Sequence, residues 1–598
     1  MKELLMGNEA IAVGAMAAGV RVVSGYPGTP STEVLETVAK RNNGSVYVEW
    51  SVNEKAAMEV AAGAAYAGAR AMVTMKQVGL NACSDPLMCV NYVGVKGGLV
   101  VLVADDPGPI SSQTEQDTRH FGRYARIPVF DPTTPEQAYQ MVQDAFELSE
   151  QLGTPVILRP TTRICHSCAS IDAADSVKSE EAGGHFEKDP RWVIFPKLSY
   201  MAKRKLFSRE SELSKQLSYY GGNTLTGSGR LGIACGGVSA AYAKDVLKEL
   251  NADPRVLTVA TPYPFPDDPA IDLLKNADRV LCLEELDPVI EDALIHICGR
   301  EKIKTEILGK RTGHTITAGE NSHEILRRQI GEFLGIKVPE AAKQDENAPE
   351  LAVRPPILCA GCPHRASFYA VKQAMRGKKA VFSGDIGCYT LGNAAPLNTT
   401  DTCLCMGAGF TVPQGLERAG DDAIHIGFVG DSTFFHSGIT GIINAVYNRT
   451  DMIAVVLDNS TTAMTGHQPH PGIGKTMMGD VSRKISIEKV LNALEVTSVR
   501  VVDPLDLAAA VEAVKQAAEE KGVRCIVFRS PCIAIVKPAK KMAVKDDCRK
   551  CQKCIRELGC PALSLENGRA VIEPSLCTGC GLCAQVCPFD MITEGGVQ

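Results

Sequence analysis

No run of about 18 uninterrupted apolar residues occurs anywhere in the 598 positions, so no membrane-spanning helix is expected. A surplus of positive charge is missing too. There are 63 basic and 69 acidic residues, and the formal net charge of −6 gives a nucleic-acid partner no electrostatic support. Met1 to Glu9 carries Lys2 and Glu3, and no long apolar stretch follows, so the chain reads as cytoplasmic. In that compartment a disulfide framework is excluded. The 22 cysteines then argue for metal or redox chemistry. With 45% apolar and 22% charged residues, a chain of this length is expected to form roughly three to five globular domains.

What is present, first of all, is a strand–helix–strand unit from Gly427 to Thr461. Ala423 to Val429 is an apolar run leading into Gly430-Asp431, Ser437 to Tyr447 is helix-like, and Met452 to Leu457 is a second apolar run ending in Asp458-Asn459. The two strands of such a unit are parallel, and ligands collect at their carboxyl ends. Asp431 and Asn459, 28 residues apart (459 − 431), should emerge together at that edge. With the Thr461 carbonyl they make a hard oxygen set that suits Mg2+ or Ca2+ holding a diphosphate. The turn through Gly430 and Ser432 offers backbone N–H groups to the phosphate oxygens. An ordinary βαβ unit, its Asp and Asn capping helices, accounts for the same residues. The pattern resembles the thiamine-diphosphate motif, Gly-Asp-Gly followed after a helix and strand by Asn-Asn. It departs at Ser432 and Asp458, and neither change removes an expected metal ligand.

Around this unit the chain divides into segments. Residues 1–180 alternate strand-like runs with small-residue helices, the mark of a doubly wound α/β domain. Two turns stand out there. Gly25-Tyr26-Pro27-Gly28-Thr29-Pro30-Ser31 leads into a helix start able to hold a substrate carboxylate, with Thr29 as the candidate contact. Glu54 opens an Ala/Gly-rich helix, where an acid also interacts favourably with the helix dipole. The polar loop Ser111 to Arg126 carries Arg119, Arg123 and Arg126, and Arg119 is chosen as the partner of a substrate carboxylate. Residues 181–228 read as a connector. Residues 229–343 form a second α/β unit, with Gly236-Gly237 as a strand-end turn and not a dinucleotide fingerprint, and with Glu284 and Glu285 at a strand end, where catalytic carboxylates are the alternative to the expected structural or interface role. Residues 344–356 form a proline-bearing linker. Residues 357–540 form a third α/β domain, whose loop Met464 to Gly472 carries His467 and His470; His467 is the candidate for substrate binding and proton transfer.

The C-terminal segment, 541–598, is the most specific. Cys548-x2-Cys551-x2-Cys554-x5-Cys560-Pro561 is followed by Cys577-x2-Cys580-x2-Cys583-x3-Cys587-Pro588. This is a two-cluster ferredoxin module, in which the fourth cysteine of each run ligates the other [4Fe–4S] cluster. One cluster takes Cys548, Cys551, Cys554 and Cys587, and the second takes Cys560, Cys577, Cys580 and Cys583. Two extra residues before Cys560 lengthen a loop without deleting a ligand.

Taken together, GYPGTPSTE, SVNEKAA, GDSTFFHSGITG, DNSTTAMTGHQPHPG and the x5-spaced ferredoxin run resemble the 2-oxoacid:ferredoxin oxidoreductases, and among them the large, alpha subunit of the indolepyruvate type, over essentially the whole chain. The resemblance implies several doubly wound parallel-sheet domains of the thiamine-diphosphate fold plus an α+β ferredoxin domain. In that scheme 1–180 binds the pyrimidine, 229–343 is transketolase C-terminal-like and 357–540 binds the diphosphate. Glu54 is then the carboxylate against the aminopyrimidine ring. The thiazolium carbon adds to the keto carbon of an aryl pyruvate, carbon dioxide leaves, and electrons pass one at a time through the clusters to external ferredoxin. Coenzyme A takes the acyl group, and a smaller beta subunit completes the complex. Cys359, Cys362, Cys388 and Cys532 match, in order and setting, the ligands of a third [4Fe–4S] cluster close to the thiamine. Another 2-oxoacid such as phenylpyruvate or pyruvate, a non-oxidative thiamine decarboxylase and an electron-transfer subunit on a degenerate scaffold stay open as alternatives.

Overall fold

Apolar runs separated by small-residue helices build parallel sheets, because each crossover helix returns the chain to the same edge. The computed structural model describes residues 2–173, 184–338, 349, 351–352 and 355–595, in two compact units, Met1–Ala348 and Pro349–Gln598. Most of the expected linker 344–356 lies outside the described residues.

In the first unit six parallel strands lie in the order Tyr47–Trp50, Val22–Gly25, Ala71–Lys76, Leu99–Ala104, Val156–Leu158, Val129–Phe130. Leu99–Ala104 is buried at all six positions, as a strand covered on both faces must be. Helix Glu54–Tyr66 starts where the Asn53 side chain accepts the Ala56 N–H at 2.9 Å, and Ala57, Ala61 and Ala65 carry it flat against the core. The ribbon Lys2–Met6 with Cys168–Asp172 is antiparallel and separate from this sheet, and it buries only Leu5 and Ile171.

The stretch read as a connector is more structured than expected. It holds helices Pro196–Ser208 and Glu210–Ser218, and strand Thr224–Thr226 pairs antiparallel with Arg255–Val259. Pro196–Ser208 buries only Leu206, so it carries no apolar stripe to betray it. The second sheet therefore runs Glu306–Leu308, Arg279–Leu283, Leu231–Gly236, Arg255–Val259, Thr224–Thr226. Gly236 ends its strand and Gly237, at φ +53°, opens the next helix. Just upstream, Gly227-Ser228-Gly229-Arg230-Leu231-Gly232 spells the spacing of a dinucleotide fingerprint. It runs into a strand instead of from a strand into a helix, so it lacks the turn that cradles a phosphate.

In the second unit five parallel strands lie in the order Ala380–Ser383, Ile424–Gly430, Met452–Asp458, Val523–Arg529, Ser498–Val502. The central strand is buried at all seven positions. Within the same unit the C-terminal segment folds as an α+β module. Helices Lys553–Leu558 and Leu582–Val586 lie within the two cysteine runs, strand Met542–Val544 pairs with Ile592–Glu594, and a hairpin joins Leu563–Glu566 to Arg569–Ile572. Asn567 and Gly568 turn that hairpin with φ of +50° and +75°, the left-handed pair such a two-residue loop demands.

Candidate functional site

Strand register brings the opening motif together. Gly430 lies across from Leu457, so Asp431 faces Asp458 and neighbours Asn459 at the carboxyl edge. Asp431 is buried; one carboxylate oxygen accepts the Ser432 N–H at 2.8 Å, and the other lies 3.0 Å from His470 Nε2. Burial works to raise its pKa, but His470 and the N–H bond outweigh this and hold it below the usual range. Asn459 Oδ1 accepts the Thr461 N–H at 3.4 Å, and Asn459 Nδ2 lies 3.3 Å from His364 Nε2. His364 is pulled down to about 4 by burial, against the pull of Asp431, so it is a neutral imidazole near pH 7. One carboxylate, one amide oxygen and the Thr461 backbone at adjoining strand ends fit a hard divalent cation.

The two departures from the motif have local causes. Asp458 turns its carboxylate to Arg529, Nε to Oδ2 at 2.7 Å, and Arg529 reaches on to Glu488 at 2.5 Å. Ser432 supplies its N–H to Asp431 within a short helical turn, Asp431–Thr433. Gly430 is held glycine by packing, because a Cβ there would stand 2.3 Å from the Tyr389 ring. A π-helical turn, Phe434–Gly438, follows and carries His436; such bulges cluster at functional sites.

Of the two loop histidines, the structure brings His470 to Asp431. His467 is exposed, with Nε2 4.0 Å from Cys532 Sγ. His364 and Asp385 were missed. His364 sits two residues after Cys362 and could have been suspected from that neighbour. Asp385 follows the first strand of the sheet, accepts N–H bonds from Ile386 at 2.7 Å and Gly409 at 3.0 Å, and is pushed up to about 7 by burial.

At the carboxyl edge of the first sheet, Glu54 is buried at its helix start, and its carboxyl lies on Gly79: a Cβ added there would stand 2.7 Å from Glu54 Oε1. Lys76 ends the neighbouring strand and runs its side chain over Gly28 of the Gly25–Ser31 turn, 3.2 Å from where a Cβ would project. Burial lowers the Lys76 pKa, and the charges of Asp106 and Glu54 oppose that. Among the described residues its ammonium has no hydrogen bond or ion pair. Thr29 is half-buried in the same turn.

Arg119, expected to meet a substrate carboxylate, is used up by the protein. It is 2% exposed and bonds both Asp117 oxygens, Glu284 Oε2 at 2.8 Å, and the carbonyls of Glu285 and Asp287. Arg159 is enclosed the same way by Asp105 and Asp131. The Arg119–Glu284 pair joins the first sheet's edge to the second domain of the unit, which places Glu284 between the two, while the Arg159 pairs lie within the first domain.

Of the 22 cysteines, 12 form three groups. Cys554 feels the charges of Cys587, Cys551 and Cys548, and those four line one cavity; Cys583 feels Cys580, Cys560 and Cys577, and those four line another, of about 450 Å3 with its mouth. The swapped fourth ligand follows from this grouping. Both runs wrap alike, yet Gly579 and Gly581, at φ +78° and +73°, have Lys550 and Gln552 at φ +57° and +61° as counterparts. A Cβ at Gly579 would strike the Lys540 carbonyl oxygen at 2.3 Å. Cys359 lies within electrostatic reach of Cys362, Cys388 and Cys532, and Cys388 within reach of Cys532, so residues from three separated segments gather. Burial pushes Cys362 up to about 12 and Cys388 up to about 11, so both stay thiols until a metal displaces the proton.

Residues 13–193 match the family model described as pyruvate flavodoxin/ferredoxin oxidoreductase, thiamine diP-binding. Residues 385–528 match the C-terminal TPP-binding domain of thiamine pyrophosphate enzymes, and 570–593 match a 4Fe-4S binding domain. The indolepyruvate oxidoreductase subunit IorA of Methanothermobacter thermautotrophicus is 40% identical over 100% of this chain and 98% of its own length. That of Archaeoglobus fulgidus is 38% identical over 98% of this chain and 96% of its own. A 2-oxoglutarate:ferredoxin oxidoreductase structure from Magnetococcus marinus overlaps 56% of this chain and 65% of that one at TM-score 0.46 and 18% identity, too loosely to carry weight here.

Proposed function

We propose, from the premise that this chain belongs to the indolepyruvate oxidoreductase IorA family, that its substrate is an aryl pyruvate, indolepyruvate by the names of its relatives. It is an oxidoreductase that decarboxylates a 2-oxoacid with thiamine diphosphate and passes the electrons through iron–sulfur clusters to ferredoxin. The observation that carries this reading is the union, in one chain, of two thiamine-binding domains with eight cysteines grouped as two quartets.

Thiamine diphosphate supplies a carbon nucleophile and an electron sink when bound. The residues divide the remaining work. Asp431, Asn459 and the Thr461 carbonyl hold Mg2+ against the diphosphate, with Ca2+ the other hard cation that suits them, and the Gly430–Ser432 turn gives its N–H groups to phosphate oxygens. His470 keeps Asp431 ionised before the metal arrives. Glu54 holds and returns a proton at the aminopyrimidine ring nitrogen. Lys76, in place of Arg119, faces the substrate carboxylate beside Thr29, since it is a half-buried cation at that edge that makes no ion pair among the described residues. His467 is left as a loop contact to substrate.

The Cys359, Cys362, Cys388 and Cys532 group would hold a third [4Fe–4S] cluster, and the Cys560 quartet and the Cys548 quartet, with Cys551 exposed, would hold the other two, each supplying a one-electron carrier. Coenzyme A accepts the acyl group, and a smaller subunit completes the enzyme. Ferredoxin reduction is followed with indolepyruvate, coenzyme A, thiamine diphosphate and Mg2+, with and without that subunit. Carbon dioxide release without ferredoxin reduction would overturn the oxidative reading, and faster turnover of pyruvate than of indolepyruvate would overturn the aryl assignment. Anaerobic iron analysis separates about 12 iron atoms per chain from about 8.

A further inference from the structure

Arg365 is buried, 4% exposed, and its guanidinium touches no carboxylate among the described residues. Its Nη1 donates to the Leu558 carbonyl at 2.5 Å and the Gly559 carbonyl at 3.0 Å, and its Nη2 donates to the Leu358 carbonyl at 2.6 Å. Gly559 immediately precedes Cys560 and Leu358 immediately precedes Cys359, so one side chain ties the backbone entering both cysteine groups. The loops themselves touch: Gly361, at φ +74°, has its Cβ position 1.8 Å from Thr578 Oγ1. Arg365 and Cys362 line the same cavity as the Cys560 quartet. The Nε–H is buried and has no hydrogen-bond partner among the described residues.

A buried charge with no counter-ion costs several kcal/mol, and arginine sheds no proton to avoid it. Three carbonyls satisfy two nitrogens but bring no negative charge. The groups whose negative charge would reach it are the sulfurs of Cys560, Cys362, Cys580 and Cys359, which bind iron as thiolates.

We propose that Arg365 is the fixed countercharge at the junction between the Cys560 quartet and the Cys359 group, and that through its unused Nε–H and its charge it raises the reduction potential of the [4Fe–4S] cluster in the Cys560 quartet. This rests on the cluster assignment above. Reduction adds one electron to the cluster, with no bond made and no proton taken up. A positive charge fixed nearby on a buried side chain stabilises the reduced cluster more than the oxidised one. The electron is thereby drawn from the Cys359 side into the ferredoxin module.

The test uses the full-length chain with clusters assembled, as wild type, Arg365→Gln and Arg365→Lys. Iron and sulfide are counted, and each cluster is titrated with dithionite under electron paramagnetic resonance. In Arg365→Gln the iron content holds while the reduction equilibrium of one cluster falls at least tenfold, 59 mV more negative for a one-electron couple. Arg365→Lys, which keeps the charge, stays within about threefold of wild type. Iron lost from Arg365→Gln but kept in Arg365→Lys also supports a countercharge. Wild-type potentials in Arg365→Gln, or iron lost equally from both variants, overturns it and leaves a backbone clamp. A wild-type chain with no iron in the Cys560 quartet refutes the cluster assignment instead.

Discussion

Arg119 and Arg365 are both buried arginines, and they differ in what faces them. Arg119 has Asp117 and Glu284 against its guanidinium; Arg365 has carbonyl oxygens alone. Where the chain supplies the opposite charge itself, the pair is complete and fixes two parts of one unit to each other. Where it does not, the missing charge belongs to something the chain binds. Lys76 falls on the second side of this divide and Arg159 on the first. The same contrast separates the acids. Glu284 accepts from Arg119 and from the Ile290 and Glu291 N–H groups, whereas Asp431 meets the Ser432 N–H and the His470 imidazole and lies beside the Asn459 amide at the sheet edge.

The most severe change should come on the ligand side. Asp431→Ala is expected to lose thiamine diphosphate altogether while its melting temperature in cofactor-free buffer stays near wild type; a normal cofactor content would place the metal elsewhere. Glu54→Gln should keep cofactor and clusters and lose about 10²- to 10⁴-fold in kcat, with retention of more than about a tenth of the rate counting against its proton role. On the structural side, Arg119→Met should leave Asp117 and Glu284 buried without a partner and cost the first unit about 3–5 kcal/mol in urea unfolding. A variant of wild-type stability but raised KM would move Arg119 back to the substrate.

Lys76→Met should do the reverse. Unfolding is unchanged, and KM for the 2-oxoacid rises about 10- to 100-fold, the worth of one hydrogen bond to a charged group. An unchanged KM removes it from the substrate site. The smallest effect belongs to Glu285. Burial pushes it up to about 7 from the usual 4.5, beside Arg159, Asp131 and Glu320 and with the Asn321 N–H at 2.9 Å. Between those values the folded chain binds more protons than the unfolded one, so this contribution is whole below about pH 4.5 and is lost as pH rises through 7. Stability of the wild type should fall by about 1 kcal/mol per pH unit across that window relative to Glu285→Gln, and parallel profiles would refute it.

Much of this was legible in the sequence because it is written locally. Strand-like runs mark parallel strands, a strand's end fixes which residue reaches the carboxyl edge, and Cys-x2-Cys spacing fixes one side of a cluster. The positions of Asp431 and Asn459 at the strand ends and of Glu54 at a helix start, and the grouping of both ferredoxin runs, could therefore be named in advance, as could the gathering of Cys359, Cys362, Cys388 and Cys532 by resemblance. The tertiary structure decided what no local pattern encodes, namely which of several like residues is already spoken for. Arg119 meets Glu284 across 165 residues, and Arg365 reaches Leu558 across 193. His470 and not His467 turns to Asp431 because of how one loop folds back. The physical reason is that pairing between charges depends on distance in space and on burial. Hydrophobic periodicity carries neither.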